Sequence, residues 1–251
     1  MEYRPRGIQN DSTPWTSLLH KSPLDSTVRQ DCTLHEFRAA SRAATTCCLA
    51  LIAQDSPGVS LEALQARYQK VLMRGTSNAF VDGKTSHDYR RERFSATLEH
   101  FELSHEMLDR ILTSYERVLA ENLSLKLGAL SLLAAIKSSG RKIAVITEGP
   151  QDAQERALRD LGVDRHVDFL ATTNRFGVSK TTSLFKKVLD HLSIESHEIV
   201  YVGDSVERDI VPATAEGIFA IRFHEGQPFR LTLNPAVVNS LEVLEGLVMP
   251  F

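Results

Sequence analysis

Ile199-Val200-Tyr201-Val202-Gly203-Asp204-Ser205-Val206-Glu207-Arg208-Asp209 is the stretch on which the fold turns. Its first four residues have no polar face, the pattern of a strand in a parallel sheet that helices cover on both sides. The run then closes on a glycine and a segment that carries Asp204 and Asp209. Working outward, Lys142–Thr147 reads the same way, with Ile143-Ala144-Val145-Ile146 at its centre. Val167–Ala171 and Ile218–Phe223 are further short apolar runs, and Glu198–Gly203 frames the first one quoted. Between them lie amphipathic stretches at helical spacing: Leu127–Ser139, Asp152–Leu161, Thr182–Leu192 and Ile210–Glu216, with a packing helix at Leu241–Leu247. Strands alternating with helices predict a doubly wound parallel α/β sheet.

The preceding ninety or so residues have another texture. His35–Ala53, Leu61–Leu72, Tyr89–Leu98 and Met107–Leu123 all read as helices. In the last of these Leu108, Ile111, Leu112, Tyr115, Val118 and Leu119 form one apolar stripe. Ser60 and Ser104 mark helix starts. Residues 1–25 are polar and punctuated by Pro5, Pro14 and Pro23, which predicts a tail with Trp15 docked onto the core. The predicted organisation is therefore a tail over 1–25, an α/β core from 26–34 and 125–251, and an all-helical insertion over 35–124.

The composition narrows the function classes. The 251 residues carry 29 basic and 32 acidic side chains, a net charge of −3, and 42% are apolar. That balance gives no electrostatic footprint for nucleic acid or an anionic membrane. No stretch approaches the roughly 18 apolar residues of a membrane span, and the basic start at Met1–Gly7 runs into polar sequence rather than a signal-peptide core. Cys32, Cys47 and Cys48 are too few for a disulfide framework or a zinc site. A cytoplasmic protein is the expectation, with a small anionic molecule as its partner; the oligomeric state is not indicated.

In doubly wound sheets ligands bind beyond the carboxyl ends of the strands. The ends here read Thr147-Glu148-Gly149-Pro150, then Asn174-Arg175-Phe176-Gly177-Val178-Ser179-Lys180, then Gly203-Asp204-Ser205 with Asp209. Taken singly each is ordinary: threonine closes strands and caps helices, a lysine at a helix start is usually a solvated charge, and an aspartate there caps or faces water. Together they converge on one crevice. Thr147, Glu148, Gly149 and Lys180 would hold phosphoryl oxygens, and Asp204 and Asp209 would hold a hard divalent cation.

From about Leu34 to Phe223 the chain resembles the haloacid dehalogenase-like (HAD) hydrolases, in the subgroup with a helical cap inserted after the first strand. Thr147–Pro150 resembles the second motif of that family, Lys180 the third, and Gly203-Asp204-Ser205 with Asp209 the acidic fourth. His87–Phe94 resembles cap sequence. The resemblance implies a Rossmann-like core, Mg²⁺, and hydrolysis of a phosphate monoester or, as a lesser alternative, of a carbon–halogen bond.

The first motif departs from the pattern. Family members carry D-x-D-x-T, whose first Asp attacks the substrate to give a covalent intermediate. The best match, Val28-Arg29-Gln30-Asp31-Cys32-Thr33-Leu34, keeps the general acid/base as Asp31 and the threonine as Thr33. It puts Arg29 at the nucleophile position. A guanidinium is no nucleophile and repels a metal, and here it would pair with Asp204 and Asp209. Two readings follow: a phosphatase-type hydrolase with Thr147, Lys180 and Asp31 as its catalytic residues, or a pseudo-hydrolase that binds a metabolite or partner protein. Arg90, Arg91 and Arg93 form a basic helix face, read as solvated and laced with Glu92, although such a face could also meet an anionic substrate. Cys32, with no obvious paired base, is read as inert.

Overall fold

The computed structural model describes residues 15–18, 33–75, 80–230 and 235–248. The apolar runs become parallel strands: β1 (Trp15–Leu18), β2 (Lys142–Thr147), β3 (Phe169–Thr172), β4 (Ile199–Gly203), β5 (Phe219–Phe223) and β6 (Ala236–Val238). They form one sheet in the order β3-β2-β1-β4-β5-β6, every pair parallel. The chain thus builds outward from β1 in both directions, and such a reversal places a crevice at the carboxyl edge.

β1 corrects the sequence reading. Trp15–Leu18 is the central strand, with Trp15 opposite both Lys142 and Ile199, and Leu18 opposite Val202. A stretch with Thr16 and Ser17 between prolines has no strand signature of its own. Its conformation is set by two neighbouring ladders, both contributed by sequence more than a hundred residues away.

The helices are α1 (Phe37–Asp55), α2 (Leu61–Gly75), α3 (Ser86–His100), α4 (Leu108–Asn122), α5 (Ala129–Ser138), α6 (Gln151–Asp160), α7 (Thr173–Phe176), α8 (Leu184–Leu192), α9 (Val211–Ala215) and α10 (Leu241–Val248). The alternation of β2 sorts the layers. Ala144 and Ile146 pack with Leu184, Phe185 and Val188 of α8 and with Ala213 of α9. Ile143 points the other way, into Leu132 and Ile136 of α5 and Leu244 of α10. Helices therefore cover both faces, which is why the strands carry no polar side.

Helices α1–α4, between β1 and α5 in the chain, share a separate core that includes Leu49, Ile52, Leu64, Phe94, Ile111 and Tyr115. The chain enters and leaves this group side by side. His35 and Leu125 form an antiparallel bridge, the Glu36 amide donates to the Ser124 carbonyl, and the Lys126 amide donates to the Leu34 carbonyl. Lys126, its side chain buried, pins the crossing with 2.6 Å to Glu36 and 3.0 Å to Glu225. α3 begins with a capping box, Thr85 and Asp88 satisfying each other's amides. Its Ser86 then reaches the sheet layer, donating through N and Oγ to the Asp152 carboxylate of α6 at 2.9 and 2.6 Å.

Candidate active site

Three strand ends supply the site. Thr147 closes β2 fully buried, and its Oγ1 has no hydrogen-bond partner among the described residues. The capping explanation does not hold for it, because the residue preceding α6 is Pro150, which makes no side-chain cap. Buried hydroxyls are nearly always bonded, and among the described residues Thr147 shares this exception with Thr33. After Thr147 the backbone turns through Gly149 at φ +155°, where a β-carbon would lie 2.7 Å from Gln154 Nε2. The Gly149 amide donates to Thr173 Oγ1 at 3.2 Å.

Lys180 does not open a helix as the sequence suggested. It sits in the turn that the amides of Thr182, Ser183 and Leu184 wind onto the Ser179 carbonyl, ahead of α8. From there Nζ donates 2.7 Å to Asp209 Oδ1 and lies 3.4 Å from Tyr201 Oη. Both charged side chains are at most 2% exposed. Tyr201 also donates to Asp209 Oδ1 at 3.1 Å, and the Ser205 amide donates to Oδ2 at 2.9 Å. Burial alone would raise the Asp209 carboxyl. The Lys180 charge and hydrogen bond, helped by the Ser205 amide, outweigh that and hold it below the ordinary carboxylate range. Burial, with the adjacent Asp209 charge, pushes the Tyr201 phenol well above its usual range, so Tyr201 stays a donor.

The glycine of the opening stretch has a steric reason. A β-carbon on Gly203 would come within 2.5 Å of Asp209 Cβ, so only glycine lets the acidic segment fold back against the end of β4. That segment winds as one π turn over Val206–Ile210, with the amides of Asp209 and Ile210 both on the Ser205 carbonyl. Single π turns recur at functional sites because they re-aim a side chain. Asp204, also buried, follows Gly203 directly and hydrogen-bonds the Asp209 side chain. Glu148 is buried and faces Arg208 Nη1 at 3.5 Å, tying the Thr147 turn to the π turn.

Thr147, Glu148, Gly149, Lys180, Asp204 and Asp209 thus share one edge. Arg29, Asp31 and Cys32 lie outside the described residues, so the pairing of Arg29 with the two aspartates does too. β1 ends at Leu18, level with Val202 and two residues short of Asp204. Thr33 is described, and it is buried. Sequence reasoning missed Tyr201, hidden in an apolar strand, and Arg208, to which it gave no role. The basic helix face is also corrected. Arg91 is exposed, but Arg90 is buried against Glu116, which also binds Arg156 of α6. The thiol of Cys48 donates to the Ile111 carbonyl at 3.3 Å, and burial pushes it up to about 12, so it is inert.

Among the described residues no group of three His, Cys, Asp or Glu side chains is placed to hold a metal ion, and no helix is long and apolar enough to cross a membrane.

Comparison with known proteins places this geometry. A family model of haloacid dehalogenase-like hydrolases matches residues 66–223. A glyceraldehyde 3-phosphate phosphatase of Methanocaldococcus jannaschii is 34% identical over 123 residues, 47% of this chain and 54% of the relative. A ribulose-1,5-bisphosphate 5-phosphatase of Halopiger xanaduensis is 32% identical over 111 residues, 44% of this chain and 46% of the relative. The chain thus spans about half the length of the curated relatives it matches. Among solved structures, a 2-haloacid dehalogenase from Pseudomonas syringae superposes with a TM-score of 0.65 at 19% identity, over 94% of this chain and 98% of that one. At that identity the likeness is one of fold.

Proposed function

Because the chain belongs to the haloacid dehalogenase-like hydrolases, we propose that its carboxyl-edge crevice hydrolyses phosphate monoesters of small metabolites. The observation that carries this reading is the buried Thr147 hydroxyl, without a partner among the described residues, on the same edge as the buried Lys180 ammonium. A hydroxyl donor and a fixed cation suit a phosphoryl group, and both relatives named above are phosphatases. In this reading Thr147, Lys180 and the Glu148–Gly149 backbone bind the anion. The Glu148 carboxylate, drawn toward Arg208, opposes it less. Asp209 is a positioning residue, since its oxygens are already engaged by Lys180, Tyr201 and Ser205. Asp204, buried directly after Gly203, would by resemblance hold the metal.

Mg²⁺ is the expected cofactor of this family, but Asp204 alone is an incomplete donor set. The described residues do not make a full site. Asp31, by resemblance, is the general acid/base. Residues 35–124 form the cap in this proposal, β1 together with 125–251 the core, and the site of action is cytoplasmic.

A second reading, a pseudo-hydrolase that only binds its ligand, is favoured by Arg29 in the first motif. One experiment separates the two readings. Purified chain and Arg29→Asp are offered a panel of small phosphate monoesters and 2-haloacids, with phosphate and halide release measured. Phosphate release by the unaltered chain supports the phosphatase. Release by Arg29→Asp alone supports the pseudo-hydrolase, and halide release without phosphate release moves the chemistry to dehalogenation.

A further inference from the structure

Tyr201 stands fully buried in β4, in a strand whose other residues are apolar. Its ring packs edge-on against Phe185 of α8, with centroids 4.7 Å apart, in the cluster that also holds Ile146, Leu184 and Val188. A phenylalanine would fill that seat equally well and would have no hydroxyl to desolvate. The phenol is therefore placed for what its oxygen touches. That oxygen donates to Asp209 Oδ1 at 3.1 Å and accepts from Lys180 Nζ at 3.4 Å. Lys180 Nζ itself donates to the same Oδ1 at 2.7 Å, so the three polar atoms close a buried triangle.

An ammonium carries three donors on a rotatable bond. One acceptor fixes the direction of one donor and leaves the other two to swing around it. A second acceptor, set off that axis, stops the swing and so aims the third donor. Asp209 Oδ1 is the first acceptor here, and the Tyr201 hydroxyl is the second. The phenol does not follow the lysine about, because β4 holds its backbone and Phe185 seats its ring.

We infer that Tyr201 is a positioning residue of the anion site: its hydroxyl locks the Lys180 ammonium so that one N–H is aimed at a phosphoryl oxygen in the crevice. This rests on the reading of Lys180 as an anion ligand given above, and the test keeps the two apart.

Tyr201→Phe deletes one oxygen and keeps the ring. Inorganic phosphate is titrated calorimetrically into the full chain and into the variant, and urea unfolding of both measures stability. Phosphate affinity should fall about ten-fold in the variant, the scale of one hydrogen bond to a charged group. A phenol that served stability alone would shift the unfolding midpoint and leave the affinity of the folded protein intact; that result overturns the inference. Should Tyr201→Phe fail to fold, Phe185→Leu keeps the hydroxyl but loosens its seat. A weaker phosphate affinity in Phe185→Leu supports the inference, and an unchanged one overturns it. Phosphate release from small monoesters by the unaltered chain tests hydrolysis separately. Binding that depends on Tyr201, without release, supports the positioning role and counts against the phosphatase. Release, with an affinity that Tyr201→Phe leaves unchanged, does the reverse. Failure of the unaltered chain to bind phosphate overturns the inference together with its premise.

Discussion

Replacing Lys180 by Met should destabilise the protein far more than loss of a surface charge. The ammonium sits 2.7 Å from Asp209 Oδ1, with both side chains at most 2% exposed. Removing one partner of such a buried pair costs about 3–5 kcal/mol, because the other charge is left uncompensated. An exposed pair would be worth about 0–1 kcal/mol. The cost should also depend on pH. In the unaltered protein Asp209 is held below the ordinary carboxylate range, so it contributes stability above its unfolded pKa that is lost as pH falls through the folded one. Without Lys180, burial dominates and the Asp209 pKa moves up. The folded variant then takes up a proton that the unfolded chain does not, and its deficit shrinks toward acid pH. Urea unfolding of both proteins at pH 8 and pH 5, followed by far-ultraviolet circular dichroism, measures this. The double variant Lys180→Met/Asp209→Asn should recover part of the loss, with a coupling of about 1–3 kcal/mol. A deficit below about 1 kcal/mol at pH 8, or one that does not change with pH, refutes the closed ion pair.

Further outcomes follow from other sites. Burial, with the Lys126 charge, pulls His35 down from 6.5 to about 3. Unfolding therefore takes up a proton below pH 6.5, and stability falls as the pH drops from there toward 3. At about 1.36 kcal/mol per unit the loss between pH 7.5 and 5 is about 2 kcal/mol, and His35→Gln should remove it; an unchanged pH slope in urea titrations would contradict this. Gly203→Ala should cost about 1–3 kcal/mol by overpacking, since its β-carbon would strike Asp209 at 2.5 Å. Gly58→Ala, with nothing within 4 Å of the added carbon, should stay near neutral in the same urea unfolding measurement.

The parts of this molecule legible in the sequence are those fixed by local pattern. Lys142–Thr147 is a strand with the bounds its apolar run suggests, and Leu108–Leu119 buries the stripe that its spacing marks out. What escaped was non-local. Trp15–Leu18 is a strand because β2 and β4 flank it, not because of its own residues. Arg90 is buried because Glu116 of α4 meets it, a partner no periodicity reveals. The strand-end motifs identified which residues gather at the crevice. They did not show that Asp209 faces Lys180 and Tyr201, because that direction depends on the π turn and on the absence of a side chain at Gly203.

The most direct test of the proposed chemistry is phosphate release from small phosphate monoesters by the purified chain, compared with Asp204→Asn at matched fold and concentration. Release by the unaltered chain is expected, with a fall of about a hundred-fold or more in the variant, the scale on which loss of a group stabilising developing charge is felt. Release that survives Asp204→Asn undiminished, or none from any ester by a correctly folded chain, would contradict it.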